Sequence, residues 1–346
     1  MDAPVEHTER AFRVSRPLVS IGVPVFNGQQ GLARALESLL EQDYAELEII
    51  ISDNASTDTT AEICARYARK DPRIKYFRSE NNVGGALNFN RAFELSSGQY
   101  FMWAAHDDQR QPTFVSACVE KLEQCPEAVL CAVHTQAFVD GREELLYVAH
   151  LDGYEGVHTL VERYRETLRN FPATAIYGIY RASALRQTKL YEKFLGADMA
   201  MIQELSIYGD FVQVPEVLFT YNSREKWNTV DDDYRMVFGM AKKPWWYLPF
   251  VVVLWNNGKR VVMAPIALPD KLRLLGALIA HEAGQIALKI LIRSAGFLCP
   301  AAYRDRLASK IYWRWMHCSN IRVVSDALFF QRAIKPRLRW ASEGVC

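Results

Sequence analysis

The chain has 346 residues, half of them apolar, and its 41 basic and 40 acidic side chains leave a formal net charge of +1. Such a chain can bury a sizeable core, and it has no overall charge that would recruit nucleic acid. Its seven cysteines form no C-x-x-C pair, which argues against a disulfide framework and a zinc knuckle and fits a cytoplasmic protein.

Residues 1–17 include acidic side chains and no apolar run, so they predict a flexible arm and not a signal peptide. From residue 18, short apolar segments alternate with amphipathic ones. The predicted strands are LVSIGVPVF, LEIIISD, RIKYFRS and QYFMWAA, and the predicted helices cover 31–42, TTAEICARYARKD, ALNFNRAFELS and 113–124. This alternation is typical of β-α-β units on a mostly parallel sheet flanked by helices.

After Ala128 the pattern changes to two strands around Asp140-Gly141, which is a hairpin signal. The segments that follow predict a helix, a strand, a helix and a strand, in the order HTLVERYRETLRN, TAIYGIYRASAL, DMAMIQELSIYG and FVQVPEVLFTYN. We expect them to complete the same sheet in mixed order. The predicted α/β domain covers 18–224, in two parts at 18–110 and 111–224.

Residues 225–346 predict a helical, basic and aromatic C-terminal region. The apolar core of KKPWWYLPFVVVLWNNGKR is shorter than the roughly 20 residues that a transmembrane helix needs. Residues 270–293 predict a long amphipathic helix, and residues 301–340 hold nine Lys or Arg against two Asp, with three tryptophans among them. Basic and aromatic residues together indicate contact with an anionic membrane surface. The alternative is a helical cap on the α/β domain.

Polar residues follow each of the first four predicted strands. They are Asn27, the triplet Ser52-Asp53-Asn54, the segment SENNVGGALNFN, and His106-Asp107-Asp108. Open α/β sheets bind ligands beyond the carboxyl ends of their strands, so this edge is the expected site. Asp53 has an alternative role in a turn, with Ser56 or Thr57 capping the next helix. The two glycines of SENNVGGALNFN have an alternative role in a tight turn between a strand and a helix.

Two further features involve carboxylates. Asp107 and Asp108 would repel each other unless a cation or hydrogen-bond donors compensate them, and Mg²⁺ or Mn²⁺ shared with diphosphate oxygens would do so. An N-cap before Pro112 is the alternative. Asp198 starts a predicted helix, where an acidic residue also serves as a cap or dipole partner.

The ordered set VPVFN, IIISDNASTD, NNVGGALNFNRAF, YFMWAAHDD and GADMAMIQELSIYG resembles the family 2 glycosyltransferases of GT-A fold over residues 18–224. The resemblance implies that the first four segments bind a sugar nucleotide, which makes 18–110 the nucleotide-binding half and 111–224 the acceptor half. Asp53 would contact the base, and Pro24, Phe26, Asn27 and Asn54 would line the nucleotide cleft. The remaining members, near the ribose and diphosphate, would be Asn82, Gly84 and Asn88.

By the same resemblance, Asp107-Asp108 corresponds to the D-x-D metal motif of the family. Ala105 stands where the first aspartate would be, so the metal would bind mainly Asp108, with Asp107 beside it. Asp198 matches the general base of an inverting, single-displacement transfer. Arg224 would neutralise charge on the diphosphate, or it is an ordinary surface arginine.

We therefore expect transfer of a sugar from a UDP- or dTDP-type donor to a glycan or lipid-linked acceptor, with Mn²⁺ or Mg²⁺. The expected setting is surface polysaccharide or lipopolysaccharide synthesis at the inner face of the cell membrane. A nucleotidylyltransferase is one alternative, but VFNGQQG has no Lys or Arg before Arg34 to bind a triphosphate. A degenerate membrane scaffold, suggested by Ala105, is the other, and retention of Asp108 and Asp198 argues against it.

Overall fold

The computed structural model describes residues 16–139, 145–149, 154, 156–157, 159–169, 173–223, 234, 237–238, 248–298 and 321–323. The strands are Val19–Val25 (β1), Leu47–Asp53 (β2), Ile74–Arg78 (β3), Tyr100–Trp103 (β4), Gln109–Arg110 (β5), Ala128–Val139 (β6), Leu145–Ala149 (β7), Ile179–Arg181 (β8), Asp210–Ser223 (β9) and Ile321–Val323 (β10). The helices are Leu32–Leu40 (α1), Thr60–Lys70 (α2), Gly85–Glu94 (α3), Phe114–Gln124 (α4), Leu160–Arg169 (α5), Ala182–Leu185 (α6), Ala197–Leu205 (α7), Pro249–Met263 (α8) and Leu268–Leu298 (α9), with a 3₁₀ helix at Ala173–Tyr177.

The strands form one ten-stranded sheet in the order β10-β7-β6-β8-β4-β1-β2-β3, and β9 joins it by pairing with β6 and β5. Strands β3, β2, β1 and β4 run parallel, whereas β8 pairs antiparallel with both β4 and β6. The parallel strands therefore share one edge where all four carboxyl ends lie. The prediction of a single mixed sheet is confirmed.

The core lies on both faces of this sheet, and β4 shows why. Tyr100 and Met102 face one apolar cluster with α1, α2 and α4, while Phe101 and Trp103 face a second cluster with α3, α6 and α7. Alternate side chains of a strand point to opposite faces, and all four here are fully buried. A short strand with no polar residue is thus explained by helices on both sides.

Two sequence predictions about elements are corrected. The segment TAIYGIYRASAL is not one strand, because it contains the 3₁₀ helix, the three-residue β8 and the one-turn α6. Helix α2 begins at Thr60, so neither Ser56 nor Thr57 caps it. The predicted hairpin tip at Asp140-Gly141 lies outside the described residues, although β6 and β7 on either side pair antiparallel.

Helices α8 and α9 pack on the α/β domain. Val261 of α8 and Ala264 just after it join Leu274 and Leu278 of α9 in an apolar cluster with Tyr164 of α5. The described part of the C-terminal region thus has the cap arrangement that the sequence left open. None of the helices in the described ranges is long and apolar enough to cross a membrane. Residues 1–15 and 299–320 lie outside the description.

Candidate active site

The loop after β1 is fastened to the loop after β2. The backbone N–H of Asn27 donates to Ser56 Oγ at 3.0 Å, and Asn27 Oδ1 accepts from the Thr57 N–H at 2.8 Å. Asn27 has φ of +52°, a conformation that asparagine tolerates better than most residues. Asn27 is therefore a side chain that shapes the loop and is exposed at the carboxyl edge.

The same β1 loop lies directly against the segment after β4. A Cβ placed on Gly31 would lie 2.9 Å from Asp107 Cα, and one placed on Gly28 would lie 2.7 Å from His106 Cδ2. Side chains at these positions would force the segments apart, so glycine permits the close approach. The exits of β2, β1 and β4 are consequently in contact with one another.

Asp53 is fully buried at the end of β2. Its Oδ1 accepts from the Ser56 N–H and its Oδ2 from the Tyr76 hydroxyl, both at 2.9 Å, and Arg78 Nε lies 3.8 Å away. The turn-forming role that the sequence offered as an alternative is thus present. The carboxylate points into its own turn at the edge where Asp107 lies, and contact with a base remains a prediction.

Asn54 connects the β2 exit to the loop before α3. Its Nδ2 donates to Asn82 Oδ1 at 2.8 Å, and its Oδ1 accepts from the Val83 N–H at 2.9 Å. Asn82 Oδ1 also accepts from the N–H of Gly84, which has φ of +91°, a conformation strained for any residue with a side chain. These contacts hold the glycine turn at the carboxyl edge.

Asn88 is buried, and its amide holds two strand ends together. It donates to the Ser52 carbonyl at 2.9 Å and to the Val25 carbonyl at 3.5 Å, and it accepts from Ser52 Oγ at 2.7 Å. Pro24 is buried within β1, whereas Phe26 just after it is 43% exposed. Of these predicted nucleotide contacts, Phe26 presents an open apolar ring at the edge.

Asp108 is buried and only half satisfied. Its Oδ1 accepts from the Asn222 N–H at 2.9 Å, while Oδ2 has no hydrogen-bond partner among the described residues. Burial first, and then the charge of Asp107, raise its pKa to about 7. Asn222 also donates through its side chain to the Asp107 carbonyl. Asn222, near the end of β9, therefore holds the Asp107-Asp108 segment in place. The N-cap alternative does not apply, because Thr113 is the residue before α4 and no side chain caps that helix.

A buried cation accompanies this carboxylate. Arg110, on β5, donates to the Trp103 carbonyl at 2.9 Å, and its Cζ lies 4.7 Å from the ring centroid of Phe219. Burial lowers its pKa to about 10, and the charge of Asp108 acts in the opposite direction. Arg110 thus offsets part of the negative charge at the end of β4.

Tyr177 lies within electrostatic range of both Asp108 and Asp198. It ends the 3₁₀ helix, packs partly in both apolar clusters, and its ring lies 5.6 Å from that of Phe219. Burial raises its pKa, and the charges of Asp108, Asp107 and Asp198 raise it further. Asp198, in the first turn of α7, influences Tyr191 and Tyr180 in the same way. Asp107, Asp108 and Asp198 therefore all lie within electrostatic range of Tyr177.

Sequence reasoning missed Tyr177, because a tyrosine between apolar residues has the pattern of an ordinary core position. It also missed Asn222, which lies near the end of the predicted α/β domain. Arg224 lies outside the described residues, so its predicted role at a diphosphate stays a prediction.

No group of three or more His, Cys, Asp or Glu that could hold a metal occurs in the ranges described. Mg²⁺ and Mn²⁺ need fewer protein ligands when diphosphate oxygens and water complete their shell. The unpartnered Oδ2 of Asp108, with Asp107 adjacent, is a donor set of that kind. These residues fit a divalent cation that binds together with a nucleotide.

Comparison with known sequences identifies a related family. The model of glycosyl transferase family 2 matches residues 20–195. A GalNAc(5)-diNAcBac-PP-undecaprenol beta-1,3-glucosyltransferase of Campylobacter jejuni is 34% identical over 109 residues, which cover 31% of this chain and 35% of the relative. The putative colanic acid biosynthesis glycosyl transferase WcaA of Escherichia coli is 37% identical over 112 residues, 32% of this chain and 39% of the relative. The chain thus spans less than half the length of these relatives.

Solved structures share the fold over nearly the whole chain. Staphylococcus aureus TarS 1-349 in complex with UDP has a TM-score of 0.58 at 14% identity, covering 94% of this chain and 87% of TarS 1-349. The mannosyltransferase PcManGT of Pyrobaculum calidifontis, in complex with GDP-Man and Mn²⁺, has a TM-score of 0.53 at 16% identity, covering 95% and 87%. At this level of identity the likeness establishes the fold.

Proposed function

The chain belongs to glycosyl transferase family 2 and has the GT-A fold, and we propose that it is an inverting glycosyltransferase. In this proposal it moves a sugar from a nucleoside-diphosphate donor to a hydroxyl of a glycan or lipid-linked acceptor. The observation that carries the proposal is the buried Asp108 at the carboxyl edge of the sheet, whose Oδ2 has no partner among the described residues and which lies next to Asp107, with Asp198 within electrostatic range of the same Tyr177. One carboxylate set serves the leaving diphosphate, and Asp198 serves the incoming hydroxyl.

Asp198 is proposed as the general base. It lies on the second residue of α7, whose N-terminus follows Gly196. Its carboxylate would take the proton of the acceptor hydroxyl while that oxygen attacks the anomeric carbon. The bond from the anomeric carbon to the diphosphate oxygen breaks, and the nucleoside diphosphate leaves from the opposite face. Inversion at the anomeric carbon follows from this single displacement.

The donor is proposed to lie across the exits of β1, β2 and β3. Phe26 offers an apolar face for a base, and Asn27, Asp53 and Asn54 shape the wall beside it. Asn82 and Gly84 would approach the ribose and diphosphate, and Asn88 would act through the strand ends that it holds. We propose a donor of the UDP or dTDP type, and the UDP complex of TarS supports this proposal.

Asp108 and Asp107 are proposed to hold Mg²⁺ or Mn²⁺, which would supply positive charge against the diphosphate when it is bound. Asn222 holds Asp108 Oδ1 and the Asp107 carbonyl in place, and the buried positive charge of Arg110 offsets part of the charge of Asp108. The Mn²⁺ in the PcManGT complex supports this assignment. A lipid-linked acceptor and a role in surface polysaccharide synthesis are supported by the names of the C. jejuni and E. coli relatives.

A melting-temperature panel tests the donor assignment. UDP, dTDP, GDP and CDP are each added with Mn²⁺ or with a chelator, and a ligand that binds only the native state raises the melting temperature. We expect the largest increase with UDP or dTDP together with Mn²⁺. No increase with any nucleotide would contradict a nucleotide-sugar enzyme.

The base assignment is tested with the donor and acceptor that the panel and a product screen identify. Asp198→Asn should lower kcat by about 100-fold or more, because general base catalysis typically contributes that much. Asp270→Asn is the matched control, since Asp270 is also a first-turn aspartate but belongs to α9. Full transfer by Asp198→Asn would refute the assignment, and a retained nucleotide-induced increase would show that its donor site is intact.

A further inference from the structure

The outer face of the α8–α9 hairpin is apolar although it faces solvent. Val251, Trp255, Val262 and Met263 of α8 and Leu268, Leu272, Ile279 and Ile286 of α9 are all exposed. Trp255 is 71% exposed, and all of the others except Val251 and Ile286 are more than half exposed. Isolated exposed apolar residues are common, but a stripe of this length on two neighbouring helices indicates a surface that binds something.

The spacing shows that this face is the outer side of two well-packed helices. Val251, Trp255 and Val262 recur at helical spacing on α8, and Asn257, Arg260 and Val261 on its other side are buried. On α9, the buried Leu274 and Leu278 face inward, away from the exposed stripe. The inward faces are therefore already occupied by the α/β domain, and the outer face is left over.

Charge and the exposed tryptophan indicate what covers this face. Among the residues of α8 and α9 whose side chains are described, the exposed or partly exposed cations are Lys259, Lys271 and Arg273, against Asp270 and Glu282. Lys271 Nζ donates to the carbonyl of Val262 on the exposed face at 2.7 Å, and Arg273, which pairs with Asp270, is 66% exposed. Cations beside an apolar stripe that includes a tryptophan suit the surface of an anionic bilayer, which binds both.

We propose that the outer face of the α8–α9 hairpin binds the surface of an anionic phospholipid bilayer. Trp255 would lie at headgroup depth, where tryptophan is enriched, and the aliphatic residues on either side would enter the acyl boundary. The cations around the face would add electrostatic attraction. This binding does not depend on the proposed transfer reaction.

The inner side of α8 connects this face to the catalytic helix. Asn257 Nδ2 donates to Gln203 Oε1 at 2.6 Å, and Arg260 pairs with the buried Glu204 of α7. Since α7 begins beside Asp198, membrane binding would hold the proposed base one helix away from the lipid. On the premise of the proposed function, that position suits an acceptor carried by a lipid.

Flotation of the full chain with vesicles tests the proposal. Pure phosphatidylcholine vesicles are compared with vesicles in which a third of the lipid is phosphatidylglycerol. The variants are Trp255→Ser/Val262→Ser on α8 and, independently, Leu272→Ser/Ile279→Ser on α9. Val217→Ser is the control, because Val217 is an exposed apolar residue on β9 away from this face.

We expect the wild-type chain and Val217→Ser to float with the anionic vesicles at low salt. Each double variant should lower the lipid partition coefficient by about tenfold or more, given the apolar area withdrawn from the bilayer. Unchanged melting temperatures and nucleotide-induced increases would show that the variants are folded, and two pairs guard against the failure of one. Because flotation needs no catalysis, its result is separate from the outcome for the transfer reaction.

Three results would overturn the proposal. They are failure of the intact chain to float with anionic vesicles, equal flotation of a folded double variant, and dissociation of an oligomer by the double variants without any change in flotation. The last result would assign the face to contact between copies of the chain.

Discussion

Two buried carboxylates on the same sheet differ in how many hydrogen-bond donors surround them. Glu48, near the amino end of β2, accepts hydrogen bonds from Ser20 Oγ, the Ser97 N–H and hydroxyl, and Lys75 Nζ. Burial alone would raise its pKa, but these four donors lower it to about 2. At the other edge, Asp108 has one donor and one unpartnered oxygen, and burial together with Asp107 raises its pKa to about 7.

The comparison distinguishes a carboxylate that stabilises the fold from one that has an oxygen left available for a ligand. Burying a charge costs free energy unless the fold supplies enough partners, which it does for Glu48 and does not for Asp108. Strongly perturbed carboxylates at a ligand-binding edge are typical of functional sites. The environment of Glu48 at the amino edge is therefore structural, and that of Asp108 agrees with the site proposed at the carboxyl edge.

The largest expected effect is on activity. Asp108→Asn should lower kcat/KM by about 100- to 1,000-fold, the usual loss when one electrostatic stabiliser of the transition state is removed. Glu48→Gln, assayed on folded protein below its melting temperature, should retain wild-type kcat/KM. Steady-state transfer assays of both variants decide the matter, and equal losses would erase the distinction between the two edges.

Tyr177→Phe extends the comparison to a neighbour of the carboxyl edge. Removing the hydroxyl takes away a buried dipole within electrostatic range of three carboxylates, so kcat should fall by about tenfold or less. The matched control is Tyr67→Phe, whose hydroxyl binds Glu37 on α1 at 2.7 Å. Equal kcat for the two variants, measured with saturating donor, would exclude a positioning role for Tyr177.

The sequence predicted much of the fold because its early strands are short apolar runs bounded by turn residues, and their helices are amphipathic. Predictions for β1 to β4 and α1 to α4 are correct to within a few residues. The segment around Tyr177 was mispredicted, because its apolar residues fit a strand as well as a 3₁₀ helix. The β5–β9 pairing was missed, since two residues, Gln109 and Arg110, make it with a strand about 110 residues away.

For the site, the sequence offered carboxylates at strand ends, since their residue type carries a signal. Asp108 and Asp198 both lie within electrostatic range of Tyr177, and their roles in the reaction stay predictions. For Asp53, the role in a turn was one of the two alternatives that the sequence left open, and its hydrogen bonds to Ser56 and Tyr76 agree with it. Asn222 could not have been selected, because an asparagine at a strand end shows its partner only in three dimensions.

Stability should respond in the reverse order to activity. At pH 7, Glu48→Gln should lower the free energy of unfolding by about 2 kcal/mol, because it weakens buried hydrogen bonds made to a charged group. Asp108→Asn should leave the free energy of unfolding unchanged or raise it, since the amide keeps an oxygen for the Asn222 N–H and removes a buried charge. Urea denaturation with a chelator present measures both changes. A marked loss for Asp108→Asn would contradict the contrast.

The smallest effects are the pH dependences of these changes. The lowered pKa of Glu48 means that its stabilisation is present above pH 4.5 and is lost as the pH falls towards about 2, so the deficit of Glu48→Gln should shrink across that window. The raised pKa of Asp108 has the opposite sign. Its native state binds the extra proton between about pH 4 and 7, so the relative gain of Asp108→Asn should grow as the pH rises to 8. Melting temperatures from pH 3 to 8 follow both trends.

The ion pair between Arg260 and Glu204 has a consequence for any exchange of parts between related enzymes. Arg260 is almost fully buried and also donates to Glu192 Oε2 at 2.8 Å and to the Leu190 carbonyl at 3.0 Å. A chimera that took its C-terminal helices from another protein would leave Glu204 charged and unmatched in an apolar interior. Replacing α8 would therefore require matching changes at Glu204 on α7 and at Glu192, so the α/β domain and the helices packed on it would have to be exchanged together.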